Sequence, residues 1–214
     1  MKKSYRVSKI CADFDIKEEH SHEHFVGEIK MPEDWQIGVI CGHSGTGKTT
    51  IAKELFDEKI INGFEYDKNS VLDNMPEELS CEDISKMFYS VGFGSVPSWL
   101  KPYHVLSNGE KMRVDLARAI MQEDFIVFDE FTSVVDRAVA QTASIAVSKA
   151  IQRTDKKFIA VTCHEDVIEW LEPDWVFDTN KMQCFFGTSP AQVKTSKSED
   201  VAGLNGDCLA NIII

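Results

Sequence analysis

Eight consecutive residues, Gly42 to Thr49, have the types and the spacing that bind phosphate. They read Gly-His-Ser-Gly-Thr-Gly-Lys-Thr and fit the pattern G-x-x-x-x-G-K-[ST] at every position. The glycines let backbone N–H groups converge on phosphate oxygens, and the N-terminus of a following helix adds its dipole. We expect Lys48 to neutralise charge on the β- and γ-phosphates and Thr49 to place a hydroxyl on Mg²⁺. The alternative is a glycine-rich turn that binds nothing. The predicted nucleotide-binding residues of this loop are Gly42, His43, Ser44, Gly45, Thr46, Gly47, Lys48, Thr49 and Thr50.

Two carboxylates follow a separate apolar run, Phe125 to Phe128. Asp129 is predicted to hold Mg²⁺, either directly or through water. Glu130 is one residue further on and is predicted to polarise the water that attacks the γ-phosphate. Carboxylates at a strand end can also cap a helix or simply be solvated. A phosphate-binding pattern in the same chain favours the catalytic interpretation.

The elements that would position these residues alternate between strands and helices. An apolar strand precedes the phosphate loop, and a helix with Ile51, Ala52 and Leu55 at helical spacing follows it. This order predicts an α/β fold with a mostly parallel sheet, whose strands carry ligands at their carboxyl ends. The predicted strands are 36–41, 70–72, 125–128 and 157–162, with a closing hairpin over 175–186 and an antiparallel strand region within residues 1–41. The predicted helices are 49–59, 81–91, 108–122, 138–153 and 166–171.

Three further segments resemble the motifs of ABC-type ATPases, a family of P-loop NTPases. Residues 106–110 read Leu-Ser-Asn-Gly-Glu, which resembles the signature LSGGQ. Residues 129–136 resemble that family's joined Walker B motif and D-loop, with Asp136 at the family spacing. Residues 162–164, Thr-Cys-His, resemble its switch-histidine loop. These motifs occur in the family's order and cover about residues 36–170.

The resemblance implies ATP as the ligand and a mechanism that needs two chains. Two ATPase domains of the family pair head to tail, so that a homodimer would complete two ATP sites. His164 would hold the γ-phosphate and the catalytic water, and Asp136 would communicate across the interface. The alternatives are a helix N-cap for Ser107 and a packed core histidine for His164. The signature residues that would contact the partner's ATP are Ser107, Asn108, Gly109 and Glu110.

The sequence departs from the transport-type members of the family in three respects. Those members carry a glutamine between the loop and the signature, and this chain has none between Thr49 and Ser107. Asp73 is the candidate for that coupling position and for a metal ligand, with a turn or helix-cap aspartate as the alternative. The helical region is small, because Lys48 and Ser107 are only 59 residues apart. No aromatic residue stands out as an adenine-stacking partner, and the possibilities are Tyr5, Phe14, Phe25 and Trp35.

A narrower resemblance concerns a soluble branch found in prokaryotes and phages, which joins an ABC ATPase to a predicted acetyltransferase domain. Four segments are similar in sequence to members of that branch, namely residues 35–38, 97–104, 131–137 and 166–171. We expect the chain to match its ATPase half, either standing alone or as part of a longer protein, since only about 40 residues follow Leu171 and an acetyltransferase domain would need more. The predicted boundaries are an ATPase domain over 1–190, a helical subdomain over about 76–122, and a mobile C-terminal tail over 191–214.

The composition constrains what the ATPase acts on. The formal net charge of −12 disfavours non-specific binding to nucleic acid or to anionic membranes. No apolar run is long enough for a membrane span, no signal peptide is evident, and the six cysteines suit free thiols in a cytoplasmic protein. We therefore expect a soluble ATPase that acts on a macromolecular partner, either nucleic acid or protein. The alternatives are the nucleotide-binding subunit of an ABC transporter and a non-hydrolysing interaction module. His20, His22 and His24 could bind a metal or lie in a hydrated loop.

Overall fold

A computed structural model describes residues 4–14, 26–29, 31–61, 63–186 and 211–213. The strands are β1 Val26–Glu28, β2 Ile37–Cys41, β3 Ile60–Ile61, β4 Phe125–Phe128, β5 Lys157–Thr162, β6 Trp175–Asp178, β7 Gln183–Phe186 and β8 Asn211–Ile213. The helices are α1 Tyr5–Asp13, α2 Lys48–Phe56, α3 Cys81–Ser90, α4 Val96–Trp99, α5 Asn108–Gln122, α6 Arg137–Ile151 and α7 Asp166–Leu171.

Six of these strands form one sheet in the order β3-β4-β5-β2-β6-β7. Every neighbouring pair is parallel except β6 and β7, which form an antiparallel hairpin at one edge. The predicted mostly parallel α/β sheet and the closing hairpin are therefore confirmed. Strands β4, β5, β2 and β6 all point their carboxyl ends to the same edge, where residues of the predicted site follow them.

Apolar side chains cover both faces of the sheet. Along β2, Val39 lies in the larger hydrophobic cluster and Ile40 lies in the smaller one, because successive side chains of a strand point to opposite faces. The larger cluster contains residues of α3, α5, α6 and α7, and the smaller cluster contains residues of α2. Burial on both faces explains why the central strands read as continuous apolar runs.

The N-terminal part differs from the prediction. Tyr5–Asp13 is a helix, although residues 1–41 were expected to contain strands broken by loops. Val7, Ile10, Cys11 and Phe14 recur at helical spacing, so the sequence held the signal for this helix. Among the described residues before β2, one short strand is present, β1, and it pairs antiparallel with β8 from the other end of the chain.

The predicted strand over 70–72 is also wrong. Residues Leu72–Asn74 form a 3-10 turn. The backbone amide of Asp73 donates to Ser70 Oγ at 3.2 Å, and the side-chain amide of Asn74 donates to the Ser70 carbonyl at 2.9 Å. Such short polar side chains hold the backbone in a turn and compete with a sheet ladder.

The helices predicted around the site are present, with α5 and α7 at the predicted bounds. The histidine cluster at 20–24 and all of the predicted tail except 211–213 lie outside the described residues. In the described segments, no helix has the length and apolarity needed to cross a membrane.

Candidate functional site

The glycine-rich loop connects the end of β2 to the start of α2. Gly45 and Gly47 have φ angles of 84° and 82°, which residues other than glycine rarely adopt. Lys48 is only 9% exposed, and its Nζ donates to the carbonyl of His43 at 2.7 Å. The lysine therefore points back over the loop, where it would meet phosphate oxygens. The strand, loop and helix order is the one that the sequence predicts for a phosphate site.

The carboxylate at the end of β4 meets the first turn of α2. Thr49 Oγ1 donates to Asp129 Oδ1 at 3.3 Å, although the two residues are 80 positions apart. The same Oδ1 accepts the backbone amide of Glu130 at 2.8 Å. A hydroxyl and a carboxylate side by side are oxygen ligands of the kind that Mg²⁺ takes in sites for phosphate substrates. Thr49 and Asp129 thus fit the predicted metal site.

The segment after β4 has an unusual backbone. Glu130 and Thr132 have φ angles of 53° and 67°, and Thr132 is fully buried. Left-handed backbone at residues other than glycine costs about 1 kcal/mol or more and concentrates at functional sites. The amide of Phe131 donates to the Val161 carbonyl of β5 at 2.9 Å, which holds the segment in place. The carboxylate of Glu130 is exposed and accepts Ser133 Oγ at 2.5 Å. Glu130 is therefore fixed beside Asp129, with its side chain directed by Ser133.

His164 follows the end of β5 at the same edge of the sheet. It is partly buried, and its backbone amide donates to Thr162 Oγ1 at 3.1 Å. Its carbonyl accepts the amide of Val167 at 3.4 Å, in the first turn of α7. His164 is thus not fully buried at this edge of the sheet, and its role at the γ-phosphate stays a prediction.

The signature segment forms the beginning of α5. Ser107 is the N-cap of this helix, and a capping box joins it to Glu110: Glu110 N donates to Ser107 Oγ at 3.3 Å, and Ser107 N donates to Glu110 Oε2 at 2.9 Å. Ser98 Oγ donates to the other carboxylate oxygen at 2.6 Å. This bond and those of the capping box hold the pKa of Glu110 below its usual value. Ser107 and Asn108 are exposed, so the N-cap alternative and a binding role are compatible here.

A polar cluster anchors α5 further along. Asp115 accepts the hydroxyls of Tyr66 at 2.8 Å and Tyr103 at 2.6 Å, and the two tyrosine rings are stacked with centroids 3.9 Å apart. Burial raises the pKa of Asp115. The guanidinium of Arg118 lies 4.9 Å from the Tyr66 ring centre. These contacts tie the signature helix to the segment that follows β3.

Asp136 and Asp73 have local hydrogen bonds of different kinds. Asp136 is the N-cap of α6, where its Oδ1 accepts the amide of Val139 at 3.0 Å, and it is exposed. Asp73 accepts Ser70 Oγ at 2.6 Å within its 3-10 turn. The Asp73 carboxylate is thus bonded to Ser70 in this turn, which agrees with the turn alternative, and its coupling and metal-binding roles stay predictions.

Two residues that the sequence does not reveal brace the phosphate loop from the turn after β6. The amide of His43 donates to Asn180 Oδ1 at 3.0 Å. The buried hydroxyl of Thr179 lies 2.6 Å from Thr46 Oγ1 and 3.0 Å from the Cys41 carbonyl. A Cβ on Gly42 would lie 2.0 Å from Thr179 Oγ1, so the loop and the turn are in close contact.

The candidate adenine-stacking aromatics lie elsewhere or outside the described residues. Trp35 precedes β2, at the end of the strand opposite the loop, and packs edge-on against Phe125 and Trp175. Tyr5 and Phe14 are 80% and 71% exposed at the two ends of α1. Phe25 lies outside the described residues. Trp35 is therefore a core residue.

The chain is similar in sequence to curated ATP-binding proteins of transporters. The chain is 28% identical to the energy-coupling factor transporter ATP-binding protein EcfA1 of Staphylococcus aureus strain USA300, and 29% identical to that of strain N315. Each match covers 66% of this chain and 66% of the relative, so the chain spans just under two thirds of the length of these curated relatives. No protein-family model matches the chain.

The fold is also similar to solved structures. The structure of cbiO1 from Clostridium perfringens, part of the ABC transporter complex cbiONQ, superposes with a TM-score of 0.58 and 18% identity, over 76% of this chain and 80% of that one. The dimeric structure of MJ0796, a bacterial ABC transporter cassette, gives 0.53 and 15% identity, over 72% and 90%. The chain therefore has the fold of an ABC ATPase cassette.

Proposed function

We propose that this chain is an ABC-type ATPase that binds and hydrolyses Mg-ATP in a head-to-tail homodimer. The hydrogen bond between Thr49 and Asp129 is the observation that carries this proposal. It joins the phosphate loop to the carboxylate pair at the end of β4, two segments that are distant in sequence. A glycine-rich turn without a ligand would have no need of an acidic partner on another strand.

Five predicted site residues at this edge of the sheet have distinct roles in the proposal. Lys48 binds the β- and γ-phosphates, and Thr49 and Asp129 hold Mg²⁺, which neutralises phosphate charge when bound. Glu130 accepts the proton of the attacking water, with its carboxylate directed by Ser133 at 2.5 Å. His164 orients the γ-phosphate and that water.

Two chains would complete each site. One chain contributes one phosphate loop and one signature segment, so two-fold pairing yields two equivalent sites. The exposure of Ser107, Asn108 and Asp136 supports this arrangement, since residues that meet a partner chain must be accessible in the single chain.

Replacing Glu130 tests the enzymatic proposal. We expect Glu130→Gln to lower kcat for Mg-ATP by roughly a hundredfold or more, because the amide cannot accept the proton. ATP should then trap a dimer that size-exclusion chromatography detects. Glu58→Gln, at an exposed carboxylate in the 3-10 turn after α2, is the matched control and should behave as wild type. If Glu130→Gln hydrolyses ATP at the wild-type rate, the general-base assignment is wrong. If the wild type does not hydrolyse ATP but still dimerises with it, the non-hydrolysing module is correct.

A second proposal concerns the process to which ATP hydrolysis is coupled. The relatives are named as transporter ATP-binding proteins, which favours a transporter subunit over a soluble ATPase with a nucleic-acid or protein partner. We therefore propose a cytoplasmic subunit that docks on a membrane-spanning partner. The small helical region and the missing glutamine are the features that favour the soluble ATPase. Co-purification with a membrane-spanning protein encoded by a neighbouring gene supports the transporter proposal, and absence of that protein from every fraction contradicts it.

Two finer assignments remain our proposals. The similarity to the ATPase half of acetyltransferase-linked proteins rests on the four segments quoted above. The division into an ATPase domain over 1–190, with a helical subdomain over 76–122, rests on the positions of the motifs and on helices α3, α4 and α5.

A further inference from the structure

One arginine joins the N-terminal ends of α6 and α7. Arg137 is the first residue of α6, and Asp166 is the first residue of α7. The Nε of Arg137 donates to Asp166 Oδ2 at 2.9 Å and its Nη2 donates to Oδ1, so the guanidinium and the carboxylate form a two-pronged pair. The guanidinium carbon lies 5.0 Å from the centre of the Trp170 ring, also on α7. Arg137 is thus fixed to α7 by a planar pair and by a ring contact.

This pair lies between two predicted site residues. Asp136 directly precedes Arg137, and its carboxylate is bonded to the first turn of α6. The carbonyl of His164 is bonded to the amide of Val167 in the first turn of α7. Because each site residue is bonded to the start of its helix, the arginine pair links the segment that holds Asp136 to the segment that follows His164.

The fold gains little from this pair. Both side chains are partly exposed, at 39% and 43%, and such pairs contribute about 1 kcal/mol or less. A positive charge at the first residue of α6 also opposes the helix dipole by about 0.3 to 1 kcal/mol. The buried Nη1 of Arg137 finds no hydrogen-bond acceptor among the described residues. The pair does fix the relative orientation of the two side chains, because a guanidinium and a carboxylate form their two hydrogen bonds in one plane.

We propose that Arg137 is a positioning residue for ATP hydrolysis, which holds the Asp136 loop at a fixed distance from the His164 loop through its pair with Asp166. The inference rests on the proposed ATPase function. In this arrangement His164 responds to the γ-phosphate of its own site, and Asp136 reaches the partner chain. Arg137 couples the two by linking their helices.

A double-mutant cycle in the full chain tests the proposal. We expect Arg137→Ala and Asp166→Asn each to lower kcat for Mg-ATP by about tenfold, equivalent to about 1.4 kcal/mol, with KM changed less than about threefold. The double variant should be no slower than the slower single variant, since both changes break one bond. Lys86→Ala, which breaks the exposed pair with Glu82 on α3, is the control and should leave kcat and KM unchanged.

Two further measurements separate positioning from stability and from charge. The melting temperature of each variant should stay within roughly 4 °C of wild type, as expected for a change of about 1 kcal/mol in a chain of this size. Arg137→Lys keeps the charge but loses the planar fork, so its kcat should stay well below that of wild type.

Several outcomes overturn the proposal. These are wild-type kcat in either single variant, effects that multiply in the double variant, full activity of Arg137→Lys, and a single variant that fails to fold. If instead the wild type itself has no ATPase activity, the proposed function fails first and the positioning role falls with it.

Discussion

Thr179→Val should loosen the phosphate loop without disturbing the catalytic residues. Three contacts link the hydroxyls of Thr179 and Thr46 to each other and to two backbone carbonyls. Thr179 Oγ1 lies 2.6 Å from Thr46 Oγ1 and 3.0 Å from the Cys41 carbonyl. Thr46 Oγ1 lies 2.9 Å from the His43 carbonyl. Two hydroxyl protons cannot serve all three contacts at once. One arrangement runs from Thr46 through Thr179 to Cys41, and the other runs from Thr179 through Thr46 to His43. Thr179 takes part in two bonds in the first arrangement and in one bond in the second.

The expected magnitude follows from this count. Removing one to two buried hydrogen bonds should lower the free energy of unfolding by about 1 to 2 kcal/mol. The cost stays at this level because the Cys41 carbonyl still accepts the amide of Thr179 at 2.8 Å, and Thr46 can still donate to His43. Valine has nearly the shape of threonine, so no cavity adds to the cost. If the variant destabilises the phosphate-binding conformation of the loop by the same free energy, about 1 to 2 kcal/mol, the affinity for nucleotide falls by about 5- to 30-fold.

Two assays measure these effects separately. Urea denaturation should give the loss of stability, and titration calorimetry with MgADP, which is not hydrolysed, should give the loss of affinity. We expect kcat at saturating Mg-ATP to change by less than about threefold, because Glu130 and His164 are untouched. Thr142→Val removes an exposed hydroxyl that donates to the Ala138 carbonyl on α6 and is the control. An affinity equal to wild type, or an equal loss in the control, would refute the view that Thr179 braces the loop.

Two further predictions concern the signature helix. A Cβ on Gly109 would lie 3.0 Å from a methyl carbon of Val139, so Gly109→Ala should fail to give the gain of about 0.5 to 1 kcal/mol in the free energy of unfolding that alanine normally gives over glycine in a helix. Gly109→Ala combined with Val139→Ala should be less destabilised than the sum of the two single variants in urea, and simple additivity would contradict the contact. Glu110→Ala should lose about 0.5 to 2 kcal/mol at neutral pH, because the bonds that Ser107 N and Ser98 Oγ donate to its carboxylate are lost while Ser107 still caps the helix. The pKa of Glu110 is lowered in the folded chain, so the carboxylate stabilises the fold above its usual pKa of 4.5, and this stabilisation fades as the pH falls. The urea midpoints of wild type and variant should therefore converge toward about pH 3, and a difference that stays unchanged down to that pH would refute this.

Much of the site could be predicted from the sequence because its parts are contiguous. The phosphate loop, the carboxylates after β4 and the histidine after β5 each follow an apolar run, and parallel strands bring their carboxyl ends to one edge. The helix α5 has its predicted bounds, and it begins directly after Ser107, which the sequence indicated as a possible N-cap.

Other features could not be predicted because they depend on short polar side chains and the turns that they select. Around Ser70, apolar residues suggested a strand, but the Ser70 hydroxyl accepts the amide of Asp73 and the Asn74 side chain donates to the Ser70 carbonyl, which forms a turn. The sequence predicted that Thr49 and Asp129 would meet at one metal site, but it left the role of Asp73 open, and only the folded chain shows its bond with Ser70. The helix at Tyr5–Asp13 was missed for a different reason, since its helical spacing was present but not recognised.

The sequence by itself thus determined which chemistry is available, because local motifs carry the phosphate-binding amides, the metal-binding oxygens and the candidate general base. Only the tertiary structure decided how those groups are held. Thr179 meets Thr46 across 133 positions, and Arg137 meets Asp166 across 29. Contacts at such separations depend on strand order and helix packing, which no single segment specifies. The phosphate loop is therefore evident in the sequence, while its brace and the link between its neighbouring loops are properties of the folded chain.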